Sequence, residues 1–202
     1  MSETSSPVLT PADADLLFRQ ARTTYVWADA PVTDADLHAA YDLAKFAPSA
    51  MNTQPLRIVA LRSDEAKARL VPHMGDGNKV KVEIAPVTLI LAYHPDFHEK
   101  MDVTFPISPE TRDNLAAAPA VRLGMAKTNS LIQAGFLLVA LRAVGLGVGP
   151  MTGLDFDGVT SEFFADTSSR PFLVVTVGHP EGSGNTHPRL PRLDYAEVVT
   201  EL

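Results

Sequence analysis

The sequence contains no cysteine. That removes disulfides, thiolate metal ligands and cysteine nucleophiles at once, and it suits a reducing compartment. Positive charge is scarce as well: 17 lysines and arginines against 24 carboxylates leave a formal net charge of −7, the wrong sign for a nucleic-acid surface. No apolar run approaches the roughly 18 residues that span a bilayer. Residues 1–12 lack the basic start and apolar core of a secretory signal. The expectation is a cytoplasmic protein without nucleic-acid or membrane partners. Gly-x-Ser-x-Gly and Walker loops are absent. The six histidines form no ligand pattern: His94 and His98 have the spacing of a zinc pair, but Pro95 lies between them and no third ligand stands out. No metal site is expected.

What is present is a chain of 202 residues, 46 % hydrophobic and 20 % charged, the balance of one globular domain with a substantial core. Residues 1–11 read as a loose tail and residues 12–21 as a helix with Leu16, Leu17 and Ala21 on one face. Thr33 is a natural cap for a second helix, with Asp34 and Asp36 at its positive end and Leu37, Ala40, Tyr41 and Ala44 at helical spacing. Residues 56–61, 86–92 and 172–177 are apolar runs of strand length. Residues 121–144 form the longest helical stretch. Its centre at 130–140 is apolar nearly all round, which predicts burial and, in so short a chain, a subunit interface. Between 93 and 119 the pattern breaks into prolines and scattered aromatics, a length of loop that is more often functional than not. Helices and strands mix without a regular βαβ rhythm, so the fold class is α+β.

Four groups could carry chemistry. Residues 47–55 (Ala-Pro-Ser-Ala-Met-Asn-Thr-Gln-Pro) sit between a helix and a strand, with prolines at both ends and hydroxyl and amide side chains between. Such a turn either satisfies its own backbone or presents Ser49, Asn52 and Gln54 to a flat polar ligand. Residues 145–153 hold four glycines and a proline; they read as a helix cap and turn, or as backbone N–H groups near Thr152 and Gly153 offered to a ligand. As a dinucleotide fingerprint they fail, because the third glycine comes one residue early and follows a helix. Asn78 and Lys81, three apart, share a helical face. Arg22, Arg189 and Arg192, with the Thr23 hydroxyl, could clamp a phosphate, since a guanidinium fork matches phosphate oxygens two at a time. Each of these is otherwise an ordinary solvated residue.

Taken in chain order, these strings resemble the nitroreductase family of FMN oxidoreductases: Arg22-Thr23 before Trp27, then residues 48–55, 77–81, 134–147 and 150–155, then Pro191-Arg192-Leu193. The resemblance implies a three-layer fold with a mixed central sheet flanked by helices. It also implies an intertwined homodimer with FMN in its interface and ping-pong hydride transfer from NADH or NADPH. Carried over, Ser49, Asn52, Asn78, Lys81, Thr152 and Gly153 contact the isoalloxazine, with Ser49 and Asn52 serving the partner's flavin, and Pro48, Ala50, Gln54, Pro150 and Met151 join the cofactor-binding set. Arg22, Thr23, Arg189 and Arg192 surround the phosphate. A backbone N–H near Thr152 would reach flavin N5, and Lys81 would stabilise charge at N1 and O2. Within the family the chain is similar to the malonic semialdehyde reductase branch, through Ala21-Arg22-Thr23, residues 149–155 and residues 189–193. That implies reduction of malonic semialdehyde to 3-hydroxypropanoate, against a broad nitro or quinone reductase or a flavin-binding protein without turnover. Residues 94–120 would be an active-site lid, with Arg112 in it and Arg122 beside it to read the substrate carboxylate. Two positions depart from the pattern: Ala21, where many relatives carry a second arginine, and Leu56, where many carry an aromatic.

Overall fold

The computed structural model describes residues 8–185 and 187–202; most of the expected tail, residues 1–7, lies outside them. The first helix is shorter than the spacing suggests. Pro11–Ala14 (α1) gives way to a wide i→i+5 turn over Asp15–Arg19, and Leu16 and Phe18 face outward. Asp34–Ala44 (α2) starts at a reciprocal cap: Asp36 N–H donates to Thr33 Oγ1 at 3.2 Å and Thr33 N–H to the Asp36 carboxylate at 2.7 Å. The remaining helices are Asp64–Leu70 (α3), Asp76–Ile84 (α4), Met101–Thr104 (α5), Pro109–Ala116 (α6), Pro119–Ala143 (α7), Phe156–Phe163 (α8) and Tyr195–Val198 (α9).

Four strands, Leu56–Leu61 (β1), Val87–Tyr93 (β2), Gly147–Met151 (β3) and Arg170–Gly178 (β4), form one sheet in the order β1-β2-β4-β3. Every pairing of named strands is antiparallel, so among the described residues the expected mixed sheet is reduced to a single parallel bridge, Thr23 to Val148. The two-helix connection α3–α4 returns the chain antiparallel, where one crossover helix would leave β1 and β2 parallel. β2 is buried on both faces: Leu89 and Leu91 point to α2 and α7, Ile90 and Ala92 to α3, α4 and α8. Helices on both faces of the sheet make three layers.

β3 corrects the reading of residues 145–153 as a cap and turn. Gly145 does cap α7, with Gly145 N–H on Arg142 O and Leu146 N–H on Leu141 O, both at 2.9 Å, and a φ of 85°. Beyond it Gly147 and Gly149 are strand residues, and Gly153 lies just past the strand's end. A Cβ at Gly147 would strike the Thr24 side chain, and one at Gly149 the Thr176 hydroxyl and, at 3.0 Å, the Thr24 carbonyl. Residues 93–119 are also more regular than their sequence: a 3₁₀ turn (Phe97–Lys100), α5 and α6 close over a small core of Phe97, Met101, Leu115 and Ala126. Half of α7 is buried against the sheet. The other half leaves Leu131 and Phe136 exposed around Gly135, lining an apolar groove of about 600 Å³. Within one chain, therefore, the helix is not buried all round.

Candidate functional site

Residues 48–55 form the most strained segment of the described backbone. Met51, Asn52 and Gln54 take positive φ of 52°, 50° and 44° without a glycine among them, each costing on the order of 1 kcal/mol or more. Two buried amides on α7 hold the strain in place. Ala50 N–H donates to Asn129 Oδ1 at 2.8 Å, and Leu56 N–H donates to Gln133 Oε1 at 3.0 Å. Inside the loop Gln54 N–H reaches Ser49 Oγ (3.2 Å) and Gln54 Nε2 reaches Asn52 Oδ1 (2.9 Å). Asn52 Nδ2 donates to Thr104 O at 2.7 Å and ties the loop to α5. Pro48, Ala50 and Asn52 remain exposed.

A second group lies past the end of β3. Asn78 Nδ2 donates to Gly153 O at 3.2 Å, and Lys81 Nζ donates to Asn78 Oδ1 at 3.0 Å and stands 5.1 Å from the Tyr25 ring. A Cβ at Gly153 would meet Asn78 Nδ2 at 2.9 Å, so the glycine permits this approach. Pro150 and Met151 end the strand, and Thr152 is exposed beside the pair. Tyr25 leads to a third group, its ring edge-on to His187 at 6.0 Å. There the start and end of the chain meet: Arg22 donates to His187 O, Arg189 to Ala21 O at 3.0 Å, and Asn185 Nδ2 to Thr23 O at 2.6 Å. Among the described residues Arg192 bonds only its own segment, to Leu190 and Pro191 carbonyls. Arg22 also lines a groove of about 520 Å³ with the half-buried Arg142, whose pKa burial pushes down.

The second and third groups are thus continuous within one chain, an amide–ammonium pair at one end and guanidiniums at the other. The strained loop is not part of that continuity. It precedes β1 while Thr152 and Gly153 follow β3, at the same end of the sheet but on opposite edges. Three strand steps, about 14 Å, separate those edges.

Of the two arginines expected to read a carboxylate, Arg122 is engaged. Its Nη1 donates to His98 Nε2 (2.9 Å) and Ala116 O (3.1 Å), and its Nη2 lies 3.4 Å from Asp96. Arg112 is half-buried and pairs with its neighbour Asp113 at 3.0 Å. Burial first, then the Arg122 charge, holds His98 below the usual histidine range. Asn129, Gln133, Tyr25, Asn185 and Arg142 are the residues that sequence reasoning missed. Asn129 and Gln133 did carry a signal: two amides four apart on one face of an apolar helix, which burial tolerates only with fixed partners. Among the described residues no helix is long and apolar enough to cross a membrane, and no cluster of metal-ligating side chains occurs.

The chain is similar to known proteins in sequence and in fold. The profile described as the nitroreductase family matches residues 18–179. A Streptomyces coelicolor protein named as a candidate NADH dehydrogenase/NAD(P)H nitroreductase is 48 % identical over 197 residues, 98 % of this chain and 100 % of its own length. A Ralstonia nicotianae protein of the same name is 42 % identical, covering 97 % of this chain and 100 % of its own. Among solved structures, a candidate Bacillus subtilis nitroreductase superposes with a TM-score of 0.79 at 20 % identity, over 95 % of this chain and 99 % of its own. One from Exiguobacterium sibiricum, crystallised in complex with FMN, superposes with a TM-score of 0.72 at 20 % identity, over 95 % and 96 %.

Proposed function

This chain belongs to the nitroreductase family, and we propose that it is an FMN-dependent oxidoreductase that takes reducing equivalents from NADH or NADPH and delivers them to a small molecule. One observation carries the reading: Asn78 and Lys81 at Gly153, and Arg22 and Arg189 where the chain ends meet, are joined through Tyr25. That donor set fits FMN, with guanidiniums for the phosphate and an amide beside an ammonium for the ring's pyrimidine edge. Bound FMN accepts hydride from a reduced nicotinamide and passes it to an acceptor.

The chain's own residues fix where that happens. Lys81, held by Asn78, places a positive charge in a half-buried site, where it acts more strongly than in water. The close approach at Gly153 leaves the adjoining backbone, Thr152 included, open to the ligand. We assign Arg22, Thr23, Arg189 and Arg192 to the phosphate, Pro150 and Met151 to the rim of the ring site, and residues 48–54 to a flavin in the partner subunit. The about 14 Å between sheet edges supports the last assignment, as does the exposed apolar face around Gly135, which a homodimer would cover. Sedimentation of Gly135→Leu tests this: the variant should dissociate and lose FMN together, and a monomer that retained FMN would remove the dimer from the proposal.

For the acceptor, reduction of neutral nitro or quinone compounds is favoured by Arg122, whose guanidinium is already taken by Asp96, His98 and Ala116. Reduction of malonic semialdehyde is the second reading; it rests on Arg112, the less engaged of the two, and on the strings at 21–23, 149–155 and 189–193. Steady-state oxidation of NADH and NADPH with a nitroarene, a quinone and malonic semialdehyde in parallel separates them. Arg112→Ala should then lower kcat/KM for the semialdehyde alone if the second reading holds. Protein that takes up FMN but is not bleached anaerobically by either nucleotide would be a binding module instead. Protein that cannot be loaded with FMN overturns the proposal.

A further inference from the structure

Between α2, the edge strand β1 and residues 97–104, on the inner side of the loop assigned to the partner's flavin, lies a cavity of about 200 Å³. Lys45, Arg57 and Lys100 line it, and no carboxylate does. Lys45 has a partner outside, Asp42 at 2.6 Å. Arg57 donates from Nη1 to the carbonyls of Gln54 (3.0 Å) and Leu56 (2.8 Å), and burial pushes its pKa down, so the fold holds this charge at a cost. Among the described residues Lys100 has no ion-pair partner. Two of its lining residues carry buried hydroxyls without a partner: Thr53 Oγ1, on a residue only 2 % exposed, and Thr104 Oγ1. Gln133 also lines the cavity and accepts from Leu56 N–H with Oε1, which leaves its amide N–H₂ to donate.

We propose that this cavity binds a small oxyanion, a carboxylate or phosphate group, held by Arg57 and Lys100 with hydroxyl hydrogen bonds from Thr53 and Thr104. The chemistry selects the ligand. Guanidinium, ammonium and the free amide N–H₂ can only donate, and the hydroxyls can donate too, so the complementary occupant is rich in acceptors and negative. A neutral solute of the same size would leave the half-buried charge without a counter-charge. The cavity also has a place in the fold's working parts. Thr53 belongs to the strained loop, and the carbonyl of Thr104 receives Asn52 from that loop. An oxyanion here braces residues 48–55 against α5, so anion and flavin should strengthen each other's binding. The inference goes beyond the proposed oxidoreductase activity and does not depend on the acceptor.

Calorimetric titration tests it, using FMN-saturated protein so that Arg22 and Arg189 do not compete for the probe. Malonate, acetate, inorganic phosphate and uncharged malonamide are titrated at constant ionic strength. A carboxylate or phosphate should bind and malonamide should not; carboxylates alone or phosphate alone identifies the source, and either supports the site. Lys100→Gln and Thr53→Val should each weaken binding about tenfold, with Lys127→Gln, on another face, leaving it unchanged. Should Thr53→Val fail to fold, exposed Lys100 decides alone. Absence of anion binding to the parent protein, or affinity untouched by Lys100→Gln, overturns the proposal.

Discussion

Residues 48–55 contain no glycine, yet Met51, Asn52 and Gln54 all adopt positive φ; residues 145–153 contain four glycines, and only Gly145 does. The first segment is strained backbone held by its surroundings, through Asn129, Gln133 and Thr104. In the second, Gly147 and Gly149 are ordinary strand residues whose missing side chains make room for Thr24 and Thr176. Glycine content therefore misjudges both. Strain persists where buried partners over-determine a conformation, and glycine in a strand often marks close approach rather than a bend.

The harshest way to break this comparison is Gly149→Val. Backbone blocks the new side chain on one side, so stability should fall by about 3 kcal/mol, read from urea denaturation. A loss under about 1 kcal/mol would mean that the Thr24 segment yields freely. Next in size is Asn129→Ala, which leaves the Ala50 N–H without its partner and should cost about 1–3 kcal/mol. It should also weaken FMN retention, because the loop loses its anchor; unchanged flavin affinity would detach strain from function. Gly145→Ala sharpens the contrast from the other side. At a φ of 85° it should cost about 1 kcal/mol, with flavin affinity unaltered.

The mildest test uses pH. His98 is held below its ordinary pKa by burial, then by Arg122, with Arg112 adding and Asp96 and Glu99 opposing. The fold therefore binds the His98 proton less readily than the unfolded chain does. Its contribution is complete above about pH 6.5 and is lost as pH falls through the lowered value. Acid should loosen residues 97–122 and, through the Asn52–Thr104 bond, residues 48–55, while amides of β3 keep their protection in hydrogen exchange. His98→Gln should flatten that dependence.

Much of the molecule was legible in order of residues alone. Thr33 announced its helix because a cap acts within four residues, and the strands at 56–61, 86–92 and 172–177 were visible as buried apolar runs. Family membership followed from strings whose spacing is itself sequence. Contacts between distant segments were not legible. That Gly147 and Gly149 lie flat against Thr24 and Thr176 depends on which strands are neighbours. That Asn129 and Gln133 hold the loop depends on how α7 crosses β1, and that residues 97–116 are helical depends on a small core at Phe97 and Met101. Local patterns fix what costs only local dihedrals and caps; the sheet order, the strain it sustains and the donor-lined cavity beside β1 arise only when side chains far apart in sequence bury each other.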